Sequence, residues 1–480
     1  MEPLKPSVAP VVEDMPLSRW RRLWRDLGDA IRGTEMDYTQ GSMGRAIFLL
    51  AVPMMLEMVL ESIFAVVDVY FVSSLGASAV ASVGLTESVL TVVYAIAIGF
   101  SMGTTALVSR RIGEKNRESA ADTAVQAILV ALAASLVISI AGVVFAKDIL
   151  WLMGADAWSI EHGYRYTVWM LGGNAVIMLI FTINAIFRGA GDAAIAMRVL
   201  WLSNGINIVL DPALIFGWGP FPAMGVEGAA IATNVGRGIG VLAQLWVLFH
   251  GAKHIRVLVS QIRLNVAVMS ALVRTSLGGI GQFIIATASW IFLVRIISEF
   301  GSEAVAGYTI AIRTFVVTFL PAWGMSNAVA TLVGQNLGAD QPDRAERSVW
   351  MTALACMGFM AVVSIVYLVF NRELIRFFTD DPLVIASGTE CLRVVAYGYI
   401  LYGLGMVMTN AFNGAGDTMT PTKINLLCFW VIEIPLAYVL AIQVGLGQPG
   451  VFWSIVVAES LVGVIGLVMF RRGTWKAVRV

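Results

Sequence analysis

Thr123–Ala146 reads TAVQAILVALAASLVISIAGVVFA, without one Asp, Glu, Lys or Arg. A helix that spans a bilayer needs about 20 mostly apolar residues, and this stretch supplies them. The runs Thr167–Phe187, Thr314–Ala339, Ser348–Asn371 and Val394–Gly416 are uncharged in the same way. Weaker runs with one to three charges lie at about 46–72, 84–109, 197–217, 226–250, 271–298, 425–444 and 450–470. The expected fold is an all-α polytopic membrane protein with twelve transmembrane helices. Strand-period alternation is absent, which disfavours a β-barrel.

Composition agrees. Of the 480 residues, 58% are hydrophobic and 13% charged, against about 45–50% and about 25% in soluble chains. Lys+Arg and Asp+Glu both number 32, a net charge of +0, which argues against a nucleic-acid partner. Cys356, Cys391 and Cys428 are odd in number and form no CxxC, so neither a disulfide framework nor a zinc site is expected. Residues 1–45 are polar and lack an early apolar core, so no cleavable signal peptide is expected.

With the N-terminus inside, 24 Lys and Arg fall on the inner side and 5 on the outer, while Arg237, Arg295 and Arg313 lie within spans. The positive-inside rule then places both termini in the cytoplasm. In Leu17–Arg32, Trp20, Leu23, Trp24, Leu27 and Ile31 recur at helical spacing, with arginines mostly elsewhere on the wheel. This pattern reads as an interfacial helix on an anionic inner leaflet.

The chain also repeats itself. Phe187-Arg188-Gly189-Ala190-Gly191-Asp192 meets Phe412-Asn413-Gly414-Ala415-Gly416-Asp417 at a shift of 225 residues. The same shift carries Gly76, Gly99, Gly113 and Gly225 onto Gly301, Gly324, Gly338 and Gly450. Six helices per half return the chain to its starting side, so the halves are parallel repeats about an axis along the membrane normal. The expected organisation is a cytoplasmic tail (1–45), an N-lobe (46–250), an inter-lobe loop (251–270), a C-lobe (271–470) and a second tail (471–480). Two matched lobes leave a cleft that rocking opens to each side in turn. Asp192 and Asp417 are placed to cap the helices that follow them.

An ionisable side chain at the bilayer centre costs about 2.5–3.5 kcal/mol on insertion scales, so each is a functional suspect. Glu57, Glu61 and Asp68 lie in the first span at spacings of 4 and 11, within about 40° of one helix face. Pro53 lies one turn before them and can bend that helix. Asn207 and Asp211 share a face of the fifth span, just before Pro212, and Thr233 lies in the sixth. Such a pocket can take up a proton or coordinate a small hard cation. The second half does not repeat it: Glu57 maps onto Gln282, Asp68 onto Leu293 and Asp211 onto Leu436. That half carries Glu433 and many aromatics, among them Trp290, Phe319, Trp323 and Tyr402, a possible substrate cleft suited to flat or cationic amphiphiles.

Val67-Asp68-Val69-Tyr70-Phe71-Val72, Arg188-Gly189-Ala190-Gly191-Asp192, Asn207-Ile208-Val209-Leu210-Asp211-Pro212 and Gly225-Val226-Glu227-Gly228-Ala229-Ala230 resemble the multidrug and toxic compound extrusion (MATE) family over about residues 40–470. The resemblance implies a twelve-helix antiporter in the plasma (bacterial inner) membrane, expelling organic cations or amphiphiles in exchange for protons or sodium. It implies no other cofactor or metal, and we expect a monomer. The DinF-like branch carries its coupling role onto Asp68, Asn207 and Asp211, with Thr233 alongside. The acids that the NorM-like branch uses in its seventh and tenth helices are missing here, and Glu57 and Glu61 lie outside the family pattern as accessory acids. The alternative within the superfamily is a flippase of lipid-linked saccharides, which calls for a more basic cavity. An enzyme is not expected, because HExxH, GxSxG and P-loop motifs are absent and His162, His250 and His254 fall at span ends or in loops.

Overall fold

The computed structural model describes residues 19–34, 36–157, 159–251 and 255–480; Leu17 and His254 lie outside these. Among the described residues, the long elements are α1 (Arg19–Arg32), α2 (Met43–Ser73), α3 (Ala77–Gly113), α4 (Arg117–Val144), α5 (Ser159–Ala190) and α6 (Ala193–Phe216). They continue with α7 (Val226–His250), α8 (Val266–Phe300), α9 (Ser302–Gly338), α10 (Pro342–Arg376), α11 (Pro382–Ala415), α12 (Met419–Gln443) and α13 (Gln448–Arg471). The 12 helices from α2 to α13 are long and apolar enough to cross a membrane. In lipid the backbone must satisfy its own hydrogen bonds, which leaves the helix as the default for such runs. The helices outrun the apolar stretches: α2 has 31 residues, about 46 Å at about 1.5 Å each, against a hydrocarbon core of about 30 Å.

Local chemistry sets the ends. Asn116 Oδ1 accepts from Ser119 N at 3.0 Å to start α4, and Asp381 Oδ1 accepts from Leu383 N at 2.8 Å to start α11. Asp417 accepts from Thr420 N at 3.1 Å, as a cap should. Asp192 does not follow suit: it stands at the start of α6, buried, and makes no side-chain capping bond. Both α2 and α6 continue as helix through Pro53 and Pro212.

The two halves share their backbone peculiarities. Left-handed residues recur at Gly76 and Gly301 (φ 98° and 100°), Lys115 and Asp340 (58° and 54°), and Gly191 and Gly416 (96° and 89°), each pair 225 residues apart. Helix α3 ends at Gly113 and α9 at its counterpart, Gly338.

Among the described residues, the hydrogen bonds that join the lobes cluster at the end of the bundle where α1 and the C-terminal residues lie. Thr331 Oγ1 donates to Arg188 O (3.0 Å), Gln335 Nε2 to Gly189 O (2.9 Å) and Arg110 Nη2 to Val478 O (2.6 Å). At that end too, Arg45 holds α1 through Asp26 and Asp29 at 3.1 and 2.8 Å. This leaves Trp20 and Trp24 72% and 68% exposed, free to enter a lipid interface.

Candidate functional site

Asn207 and Asp211 stand one turn apart on α6, facing α7. A Cβ on Gly236 of α7 would lie 3.1 Å from that of Asn207, so α6 and α7 are in close contact. Asn207 Nδ2 donates to Thr233 Oγ1 at 3.1 Å. Asp211 is 0% exposed. Neither of its carboxylate oxygens has a hydrogen-bond partner, nor has Asn207 Oδ1 or Ser203 Oγ. Asp68 on α2 is half-buried, near enough for its charge to act on Asp211. The structure therefore brings Asp68, Asn207, Asp211 and Thr233 together from three helices. Two carboxylates, an amide carbonyl and a hydroxyl are donors for a small hard cation, and the same carboxylates can hold a proton.

Beside this cluster lies Arg237 of α7, which sequence reading places in a span without assigning it a role. Its Nη1 donates to Tyr94 OH at 2.8 Å, and its Nη2 lies 3.5 Å from Glu61 Oε1. Glu61 Oε2 also accepts from Asn204 Nδ2 at 3.0 Å. The charge of Arg237 reaches Asp68 and Glu87 as well, and Tyr166 OH donates to Glu87 Oε1 at 3.2 Å. Glu87 and Tyr166 escape sequence reading, although an arginine in a span always calls for nearby acids. Arg237 is thus an internal cation among Glu61, Glu87 and Asp68, and of these Asp68 belongs to the group around Asp211.

Glu57 belongs to a separate network. It is buried, and its Oε1 accepts from Asn184 Nδ2 at 3.3 Å and Arg188 Nη1 at 3.4 Å. Arg188 Nη2 donates to Ser101 Oγ at 3.1 Å. The uncharged run read from the sequence stops at Phe187, but the helix continues to Ala190, and Arg188 on its last turn points into the bundle.

Glu57, Glu61, Arg188 and Arg237 of the first lobe line a cavity closed on the other side by Trp323, Asn327, Asn410 and Asn413 of the second. Its volume is about 130 Å³. Sites for drug-sized ligands run to about 300–1,000 Å³, so the lobes must part to admit one. Of the second-lobe residues proposed from sequence, Trp323 lines this cavity. Phe319 stacks between Trp323 and Tyr402, with ring centroids 6.3 and 5.6 Å away. Trp290 and Tyr402 line a different, smaller cavity inside the second lobe, and Glu433 lies buried behind it.

Known proteins share this architecture. The MatE family profile matches residues 53–213 and 280–439, once in each lobe. A protein of Thermotoga maritima described as probable multidrug resistance protein NorM is 29% identical over 438 residues, covering 89% of this chain and 92% of its own. The multidrug export protein MepA of Staphylococcus aureus (strain MRSA252) is 24% identical, covering 87% and 91%. Among solved structures, an outward-facing multidrug resistance MATE family transporter of the MOP superfamily superposes with a TM-score of 0.85 at 25% identity, covering 92% of this chain and 98% of that one. A family match that falls once on each side of the pseudo-twofold axis accounts for the repeat, the cleft and the twelve spans together: the chain belongs to the MatE family, whose members are transporters and not enzymes.

Proposed function

We propose that the protein is a secondary active multidrug exporter, expelling amphiphilic organic compounds in antiport with protons or sodium by alternating access. One observation carries the coupling site: Asp211 is wholly buried with both carboxylate oxygens unpartnered, next to the unpartnered carbonyl of Asn207. A buried carboxylate left so is costly unless a cation or proton visits it. Asp68, Asn207, Asp211 and Thr233 are the coupling residues in this reading. The relatives named as multidrug proteins support export, and the lobe contacts gathered at one end support a cleft that opens at the other.

The central cavity refines the cargo. Acids outnumber bases across the spans as a whole, yet the cavity wall pairs Glu57 with Arg188 and Glu61 with Arg237. A charge-balanced wall with carboxamides and an indole suits amphiphiles, neutral or weakly cationic, better than a diphosphate. The membrane is the cytoplasmic one, with both termini inside.

The experiment is substrate efflux from proteoliposomes under proton and sodium gradients imposed separately. Gradient-driven efflux that Asp211→Asn abolishes supports the reading. Efflux indifferent to both gradients, or movement of lipid-linked saccharides in place of drugs, removes it.

A further inference from the structure

Gly191 and Gly416 close the matching turns after α5 and α11, and a terminal stretch of the chain lies on each. Tyr38, 3% exposed, covers the first turn. Its hydroxyl donates to Gly191 O at 3.2 Å, and a Cβ on Gly191 would lie 2.7 Å from its ring. Val480 covers the second turn, where a Cβ on Gly416 would collide with its side chain.

Arginines of the opposite lobe grip both stretches. Arg344 of α10 donates to three carbonyls of the stretch leading into α2: Tyr38 O at 3.4 Å, Gln40 O at 2.7 Å and Gly41 O at 3.1 Å. Lys115, in the turn after α3, ties the same stretch to the first lobe through Asp37 at 2.7 Å. In the tail after α13, Val478 O accepts from Arg110 Nη2 of α3 at 2.6 Å, and Val480 O from Arg111 Nη2 at 3.4 Å. That tail is anchored on its own lobe by Trp475, which is 0% exposed. The Trp475 ring stacks on Phe470 of α13 at 4.8 Å, and its N–H donates to Phe470 O at 3.0 Å. Lys476 adds an ion pair with Glu346 of α10.

The repeat does not require this crossing. Val480 is the mate of Ile255, which packs in a core of α3 to α7 residues, all of its own lobe. Val480 instead packs against Ala106 and Leu107 of α3, Ala127 of α4 and Leu272 of α8. The two stretches therefore bridge the seam in opposite senses, one from each lobe. Arg110, Arg111 and Arg344 are only half-buried, so water can take over their bonds when the lobes part. A tie of charged donors on backbone carbonyls is firm when made and reversible in contact with water.

We propose that residues 37–41 and 475–480 are paired latches that hold the lobes together at this end and must release before the central cavity opens there. The proposal rests on the alternating-access reading and adds the chain elements that set the balance between its two lobe shapes.

The test bridges each latch covalently in the full-length protein, whose three native cysteines are buried. Arg110→Cys with Val478→Cys, and separately Arg344→Cys with Gln40→Cys, are joined by a short reducible reagent that reacts with two thiols. Each bridge should stop efflux from proteoliposomes, and reduction should restore it. Lys476→Cys with Glu346→Cys, a bridge within the second lobe, should leave efflux running. Conversely, Arg110→Gln, Arg111→Gln and Arg344→Gln combined should speed the labelling of Ser101→Cys, on the cavity wall, by more than about 10-fold. That gain should appear in membrane vesicles that expose the α1 side and not in vesicles of the opposite orientation. Efflux that continues in either fully bridged protein overturns the proposal, as does labelling that the three substitutions leave unchanged. Labelling needs no transport, so a parent without efflux would sink the exporter reading while the latches are still decided.

Discussion

Gly113, the last residue of α3, rests against the backbone of Gln335 in α9, where a Cβ would collide with the Gln335 carbonyl. The contact has a mirror: Gly338 meets the carbonyl of Arg110 in the same way. Gly113 and Gly338 are repeat mates, and so are Arg110 and Gln335, so the pseudo-twofold axis passes between them. Overpacking such a contact costs about 1–3 kcal/mol, enough to shift a two-state equilibrium about 5- to 150-fold. Gly113→Val should therefore pry the lobes apart on the side of α1 and the C-terminal residues. Ser101→Cys, on the cavity wall, should then become reactive toward a reagent supplied from that side. Unchanged labelling would show that this crossing does not hold the lobes closed.

Arg188 and Glu57 form the most buried ion pair of the cavity wall, with side chains 10% and 3% exposed. Removing one partner strands a charge, at a cost of about 3–5 kcal/mol. Arg188→Gln alone and Glu57→Gln alone should each lower thermal stability in detergent. The double variant, which leaves no net charge behind, should recover most of the loss. A double variant as unstable as the sum of the two singles would show that the residues are not energetically coupled.

What the sequence revealed follows from what lipid forbids. The spans were readable because an unpaired backbone cannot sit in hydrocarbon, and the first-lobe cluster because Asp211 and Asp68 are expensive there. Arg188 was hidden by its own motif: glycines two apart signal a turn, and nothing in Arg188-Gly189-Ala190-Gly191 shows that its first residue still belongs to α5. The second-lobe aromatics were visible as a group, but periodicity cannot tell Trp323, on the central cavity, from Trp290, on a separate one. Glu459 was legible only as an acid in a span. That it walls the second-lobe cavity beside Tyr402 depends on how α11 and α13 pack.

Topology has a direct test. Ser260 is exposed in the loop between the lobes, and the native Cys356, Cys391 and Cys428 are all buried. Ser260→Cys should be the reactive thiol in intact cells only after permeabilisation, because the positive-inside rule places that loop in the cytoplasm. Labelling by an impermeant reagent from outside would invert the orientation of all twelve spans.

The proposed coupling site yields the sharpest expectation. Linkage between cation entry and substrate release requires two lobe shapes that differ in cation affinity. Asp211 supplies that difference if its unpartnered oxygens meet a cation or proton in one shape and lose it in the other. Asp211→Asn keeps the size and removes the charge. It also relieves a buried unpaired carboxylate, so the variant should be at least as thermally stable as the parent. Substrate binding at equilibrium should persist, because Asp211 does not line the central cavity. Efflux driven by a gradient should fall to the rate of passive exchange. Asn207→Ala keeps the carboxylate but takes away a neighbouring carbonyl and the bond to Thr233. It should weaken coupling-ion affinity while leaving the maximal rate nearer the parent's, so a steeper gradient restores transport. If instead Asp211→Asn drives efflux like the parent while Asn207→Ala is folded and inactive at every gradient, the ion is held through Asn207 and not through the carboxylate.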